Sequence, residues 1–374
     1  MFFYGSLRHI PLLEIVLGRP VDPSDMTLSR LPGYKVMSAA GGMFPTLIQS
    51  QEDWADGLLV RNLSVQDIAR LNFYEGGFSY ALGRVTLQDG TQAETYLPPN
   101  DQSDIEIPWK LETWVAEWGE VTCLAAQEVM GYFGERPADE VAAMFPAIRA
   151  RAASQRRGPY SRHGARTFKG TADIFTRRRR YSGFFALDDV ALRHQKFDGL
   201  SSDLLNRAAF ISADAALVLP YDPVTDRVLL VEQFRVGPFL RHDQAPWQLE
   251  PIAGRIDAGE TPEAAARRES FEEAGLALDA LETVAEVYPS PGGSTEFFYI
   301  FVGLADLSKA KSEITGLASE HEDIKTHILS FDALMTLAAD FAVANAPLAL
   351  CAYWLAYHRD RLRSERGEGT PSTM

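Results

Sequence analysis

Residues 254–276 read GRIDAGETPEAAARRESFEEAGL, and their punctuation predicts a loop, a helix and a second loop. Thr261 is suited to cap the helix and Pro262 to open it, where a missing N–H costs little. Gly275 supplies the stop. Between these ends Glu269, Glu272 and Glu273 fall at i, i+3 and i+4, so their carboxylates share one helical face. Like charges at that spacing destabilise a helix by roughly 0.2–0.5 kcal/mol per pair and raise one another's pKa unless a cation lies between them. A hard divalent ion, Mg²⁺ first and Mn²⁺ second, takes oxygen ligands and is commonly shared between carboxylates and substrate phosphates. The plainer reading is a solvated acidic face in which Arg268 neutralises Glu272 at i+4.

The pattern extends beyond the helix. Gly254 is followed after five residues by Glu260, and the run matches G-x5-E-x7-R-E-U-x-E-E-x-G-U throughout, with Ser270 at the U position its one departure. On these residues the segment resembles the Nudix box. The segment Ser290-Pro291-Gly292-Gly293-Ser294-Thr295-Glu296 is similar to SPGGTSE of the ADP-ribose pyrophosphatase group, whose marker proline, sixteen residues past the last box glycine, is here Pro291. By composition alone a Pro-Gly-Gly run is a turn between strands. Upstream, residues 216–220 and 227–234 are apolar runs about Tyr221-Asp222-Pro223 and predict a strand hairpin. They lead into Glu232-Gln233-Phe234-Arg235, which resembles the group's EQxR segment. Downstream, residues 316–323 are similar to its GLADENED loop.

The resemblance implies roles residue by residue. Arg207 and Arg235 bind substrate, a task that suits a planar guanidinium fork facing diphosphate oxygens. Pro291 and Glu296 join them. Glu269, Glu272, Glu273, Glu322 and the Ala253 carbonyl hold metal, and Glu272 counts also among the catalytic carboxylates with the general base Glu320. Phe184 and Phe185 are candidates for stacking on adenine, one of them expected in the core and the other exposed. The implied reaction is Mg²⁺-dependent hydrolysis of ADP-ribose to AMP and ribose 5-phosphate. Another nucleoside diphosphate sugar or a dinucleotide is the alternative within the class, and an ADP-ribose sensor without turnover is the alternative outside it.

A length of 374 residues predicts about two domains. The chain opens Met1-Phe2-Phe3-Tyr4-Gly5-Ser6-Leu7, an apolar strand that breaks at a glycine and leaves backbone N–H groups free to meet an anion. Phe44-Pro45-Thr46-Leu47 follows, then Tyr74-Glu75-Gly76-Gly77-Phe78 between an expected helix over 64–72 and an expected strand over 83–87. Together these resemble the gamma-glutamylcyclotransferase-like (AIG2-like) family over about residues 1–135. The resemblance implies that Tyr4, Gly5, Ser6 and Leu7 bind a γ-glutamyl group and that Glu75 is the acid/base. In the alternative, the fold is a binding module and Glu75 a loop carboxylate. The pairing of the two modules resembles bacterial fusion proteins of the TrgB tellurite-resistance type, a phenotype without a reaction.

The expected fold class is therefore α+β in two domains: an N-terminal mixed β-barrel with helices over 1–150 and a C-terminal α/β/α sandwich over 171–364. Residues 151–170 are expected as a basic linker and 365–374 as a disordered tail. From Arg149 to Arg180 the chain is basic, with Arg156-Arg157 and the run at 177–180, whose arginines either pair with acidic surfaces or, at 177–180, attract an anionic nucleotide. A net charge of −15 argues against a nucleic-acid partner. Cys123 and Cys351 are the only cysteines, which excludes a disulfide framework. No apolar run reaches the roughly 18 residues of a membrane span and no charged leader is present, so a soluble cytoplasmic protein is expected. Residues 347–363 predict a docked final helix, and the resemblance implies a homodimer through the C-terminal domain.

Overall fold

The computed structural model describes residues 1–39, 44–77, 80–98, 105–160, 167–316 and 322–367. It divides into two units, Met1–Pro159 and Tyr160–Met374.

The first unit contains strands β1 (Phe2–Phe3), β2 (Met26–Ala39), β3 (Phe44–Val60), β4 (Ala81–Thr86), β5 (Gln92–Leu97) and β6 (Ile105–Pro108). Its helices are α1 (Ile10–Leu17), α2 (Val65–Gly76), α3 (Leu111–Trp114), α4 (Glu120–Met130), α5 (Ala138–Ala143) and α6 (Phe145–Arg157). The strands make an antiparallel sheet of order β1-β3-β2-β6 and a separate β4-β5 hairpin, with no ladder closing them into a barrel among the described residues. Phe2, Leu31, Leu47 and Leu59 of the sheet pack with Val85 and Ala93 of the hairpin in one core.

A reciprocal cap starts α2: the Ser64 hydroxyl accepts from the Asp67 N–H and the Asp67 carboxylate accepts from the Ser64 N–H. Arg19 adds a two-pronged ion pair that holds Asp67 down at a pKa of about 2. The helix runs past its expected end, because Leu71 and Tyr74 continue its buried face. Glu75 thus stands in its last turn rather than on a loop.

The expected linker needs correction. Residues 151–157 are the second half of α6, whose buried Ala147, Ile148, Ala150, Ala152 and Ala153 allow close packing on α4. Arg151 is 4% exposed and bonds Glu128 of α4 at 2.5 Å.

The second unit begins with the antiparallel meander β7 (Ala172–Ser182), β8 (Ala186–His194) and β9 (Leu205–Ile211). The basic run lies in β7, where Arg177 and Arg179 pair with the buried Asp188 and Arg180 with Asp189 across the ladder. Then come β10 (Ala215–Asp222), β11 (Arg227–Phe234), α7 (Val236–Leu240), β12 (Trp247–Glu250), β13 (Ile252–Arg255), α8 (Pro262–Ala274), β14 (Ala280–Val287), β15 (Phe298–Leu304), β16 (Ile314–Thr315), β17 (Ile324–Ser330), α9 (Phe331–Ala339) and α10 (Ala346–Gly367). The mixed sheet has order β14-β15-β10-β11-β17-β16, with β12 on β11, β13 on β10 and a parallel β10/β15 pair.

Alternation explains its two covered faces. Leu217, Leu219, Tyr221, Val228, Leu230, Ile300 and Val302 point toward Leu334 of α9 and Leu348, Cys351 and Leu355 of α10. Ala216, Val218, Leu229, Val231 and Phe301 point the other way, onto Ala265 and Ala266 of α8. Burying each large aliphatic side chain contributes about 1.5–3 kcal/mol, so this double alternation specifies an α/β/α sandwich. α10 reaches Gly367 and so includes the first residues assigned to the tail. No helix of the described residues is long and apolar enough to cross a membrane.

Asp226, in the β10–β11 turn, joins this layer to α10. It accepts from Tyr221 Oη at 2.8 Å and Arg359 Nε at 2.9 Å, and Arg359 first among its partners lowers its pKa from 3.8 to about 2. Asp226→Asn keeps a residue that tolerates the left-handed backbone there (φ 56°) and removes the charge. Urea titration should show a loss of about 1–3 kcal/mol. A depressed carboxyl stabilises above its unfolded pKa of 3.8 and loses that contribution as pH falls toward 2, so the two proteins should converge in that window.

Candidate functional site

Helix α8 has the caps that its sequence requires. Thr261 accepts from the Ala264 N–H at 3.1 Å, and Gly275 adopts φ 61° while its N–H reaches the Phe271 carbonyl at 2.9 Å. Its buried residues are Ala265, Ala266, Ser270 and Glu273, so the last turn carries an acid into the interior. Glu273 is 2% exposed, and its Oε2 has no hydrogen-bond partner. Burial chiefly, then Glu269 and Glu322, raise its pKa to about 9, against the opposing pull of Arg235 and the Ala253 N–H. A cation that met this carboxyl would favour its ionised form.

Arg268 organises the other acids. It donates to Glu269 at 2.6 Å, Glu272 at 2.8 Å, Glu260 at 2.9 and 3.0 Å, and the Arg255 carbonyl at 3.0 Å. The i, i+4 neutralisation of Glu272 is therefore present, as one prong of a wider cluster. Gly254 is required by closeness: a Cβ there would lie 1.8 Å from Glu269 Oε1.

Arg235 follows β11 and forks onto Glu250 at 2.7 to 3.1 Å, within electrostatic reach of Glu273, Glu322 and Glu296. The turn holding Pro291 docks on β9, with Phe210 N–H to the Gly293 carbonyl at 2.7 Å and Thr295 N–H to the Phe210 carbonyl at 3.0 Å. Pro291 is exposed, whereas Glu296 is half-buried, accepts from Ser212 Oγ at 3.4 Å and has its pKa raised by burial. Arg207 stands exposed on β9, donates to the Asn206 carbonyl at 2.9 Å, and makes no hydrogen bond or ion pair to an α8 carboxylate. Glu320 lies outside the described residues. Phe185 packs on Phe210 with ring centres 4.7 Å apart, leaving Phe184 exposed with the Arg255 guanidinium 4.1 Å from its ring centre.

The first unit holds a partly open cavity of about 330 Å³ lined by Tyr4, Gly5, Ser6, Leu7 and Glu75, among others. Gly5 is held against Pro45, whose Cγ would be 2.6 Å from an added Cβ. Glu75 keeps some exposed area because the cavity reaches it, yet protein encloses it and burial alone raises its pKa to about 7. Tyr4, Tyr80 and Tyr96 feel its charge.

Residues 212–349 match the NUDIX domain family, and residues 1–116 match the family Gamma-glutamyl cyclotransferase, AIG2-like. Over 197 residues the chain is 39% identical to the ADP-ribose pyrophosphatase of Escherichia coli (strain K12), covering 53% of this chain and 93% of that protein. The chain belongs to the Nudix family. A Haemophilus influenzae ADP-ribose pyrophosphatase is 37% identical over 185 residues, 49% of this chain and 85% of the relative. A Yersinia pestis GDP-mannose pyrophosphatase is 29% identical over 152 residues, 41% of this chain and 75% of the relative.

The Nudix unit suits a hard divalent cation. Among the described residues no three acidic, imidazole or thiol groups converge as a metal-binding group, and Glu269 and Glu272 each give an oxygen to Arg268. Even so, the Glu273 oxygen without a hydrogen-bond partner, buried beside acids already gathered by Arg268, is the kind of donor a hard cation takes. Sequence reasoning missed Glu250 and Arg255. Glu250 is a polar position of the alternating strand Trp247-Gln248-Leu249-Glu250 and so left no distinct signal, and nothing in the sequence pairs Arg255 with Phe184.

Proposed function

We propose that the Nudix unit hydrolyses the diphosphate bond of ADP-ribose to give AMP and ribose 5-phosphate. The observation that carries this reading is the buried Glu273 carboxyl, one oxygen unpartnered, inside the acid cluster of a chain related to ADP-ribose pyrophosphatases. Glu269, Glu272, Glu273, Glu322 and the Ala253 carbonyl would hold Mg²⁺, or Mn²⁺, which when bound neutralises phosphate oxygens and acidifies a water. Arg268 keeps Glu269 and Glu272 oriented. Arg235, preset by Glu250, meets the diphosphate with Arg207, Pro291 and Glu296 around it. Glu320 takes the proton of the attacking water. Phe184, exposed beside the Arg255 guanidinium, is the candidate for stacking on adenine.

A homodimer fits the exposed Ile174, Phe175 and Tyr181 of β7, which a second copy would cover. The free thiols of Cys123 and Cys351 suit the reducing cytoplasm. The tellurite context supplies no step.

Purified full-length protein with Mg²⁺, offered ADP-ribose, sugar nucleotides and dinucleotides, should release AMP and ribose 5-phosphate at its highest kcat/KM, read by mass. A preference for GDP-mannose would move the assignment to nucleoside diphosphate sugars, and tight ADP-ribose binding without products would make the unit a sensor.

The enclosed Glu75 favours a second reaction in the first unit, cyclisation of a γ-glutamyl compound to 5-oxoproline. Tyr4, Gly5, Ser6 and Leu7 hold the γ-glutamyl group while its α-amine attacks the γ-carbonyl. Glu75 takes the amine proton and passes it to the leaving nitrogen as the amide C–N bond breaks.

A further inference from the structure

Trp118, Thr122, Ala125, Phe145 and Arg149 wall the first unit's cavity but lie beyond residues 1–116, the stretch that matches the AIG2-like family. Four of them add mainly apolar surface, and the fifth is a permanent cation. The Arg149 guanidinium lies 5.5 Å from the Phe44 ring centre, 5.6 Å from Trp118 and 6.0 Å from Phe145. A guanidinium among ring faces is weakly hydrated, and it gains most from an anion that brings paired acceptors.

Two other donors of the lining add to this. The Trp118 indole N–H and the Thr95 hydroxyl are buried without partners, and Thr95 is 1% exposed. Buried donors left unmatched are rare in folded proteins and ask for a ligand or a water. Glu75 and Arg149 are the charged residues of the lining among the described residues, and Tyr74 senses both, so acid and cation share one chamber. Its volume, about 330 Å³, suits a ligand of dipeptide size.

We propose that Arg149 and the Trp118 indole N–H bind a carboxylate at the second end of the ligand, so that this cavity selects γ-glutamyl amino acids over γ-glutamyl amines. This rests on the γ-glutamyl reading of the first unit. It makes the helical segment after residue 116 the element that decides which leaving group is accepted.

The probes are γ-glutamylalanine and γ-glutamylethylamine, which differ by that one carboxylate, titrated calorimetrically into the full-length protein. The acid should bind about tenfold or more tightly than the amine. Arg149→Met, which keeps the packing of the stem, should remove that preference by weakening the acid alone, and Arg149→Lys should restore part of it. Retained amine binding shows that the variant cavity is folded. A wild-type ratio near one overturns the proposal, as does an Arg149→Met variant that weakens both probes equally. If wild-type protein binds neither probe, the γ-glutamyl reading falls together with it.

Discussion

Glu273→Gln should lower the kcat of ADP-ribose hydrolysis about 10²–10³-fold while leaving the protein folded. Glutamine fills the same volume, and its side-chain carbonyl can still accept from the Ala253 N–H. What it removes is the negative charge that burial, Glu269 and Glu322 all oppose in the protein without metal. The variant should therefore melt no lower than wild type in the presence of a chelator, which separates a lost ligand from a damaged fold. Mg²⁺ titration of activity should show half-saturation moved to higher metal concentration and a rate that excess metal does not restore to wild type. Wild-type turnover in the variant, or wild-type activity that survives thorough chelation, would remove the metal from the scheme and return the cluster to an arginine-neutralised face.

The local part of this site is readable because neighbours in sequence are there neighbours in space. Thr261, Pro262 and Gly275 cap α8 from within one helix length, and the spacing of Glu269, Glu272 and Glu273 is itself a helical geometry. The reason for Gly254 is tertiary: the Glu269 carboxylate occupies the place of a side chain. Arg235 meets Glu250 fifteen residues away only because β11 and β12 pair, and no spacing rule joins Phe184 to Arg255.

Charge misled where packing decides. Arg156 and Arg157 made the segment after residue 150 resemble a linker, yet the alanines that precede them form the buried face of α6. Small side chains carry a weak hydrophobic signal but permit close helix approach, and Arg151 is neutralised by Glu128 out of sight of any local pattern. The expected end of α2 at residue 72 is likewise too early, because Tyr74 remains buried and carries the helix, with Glu75, to the cavity wall. The cavity draws Tyr4, Thr46, Glu75, Tyr96 and Arg149 from separate elements, so its shape emerges only after the sheet and helices have packed.

Glu75→Gln should reduce 5-oxoproline release from γ-glutamyl compounds about 10²–10⁴-fold, the range for loss of a positioned acid/base. The proton inventory gives the sign of the pH dependence. With a pKa near 7, Glu75 is an effective base only once ionised, so wild-type kcat/KM should rise with pH through about 7 and the residual rate of the variant should lack that limb. The same shift predicts stability. A carboxyl raised from 4.5 to about 7 on folding stabilises fully below pH 4.5 and loses that contribution as pH rises through 7. Glutamine removes this slope, so at pH 8 the variant should be more stable than wild type, by up to about 2–3 kcal/mol in denaturant titration. The two readouts separate catalysis from architecture. A stability slope that disappears in the variant, with no 5-oxoproline from wild type across a panel of γ-glutamyl amino acids and amines, would mean that the enclosed carboxyl serves ligand binding alone.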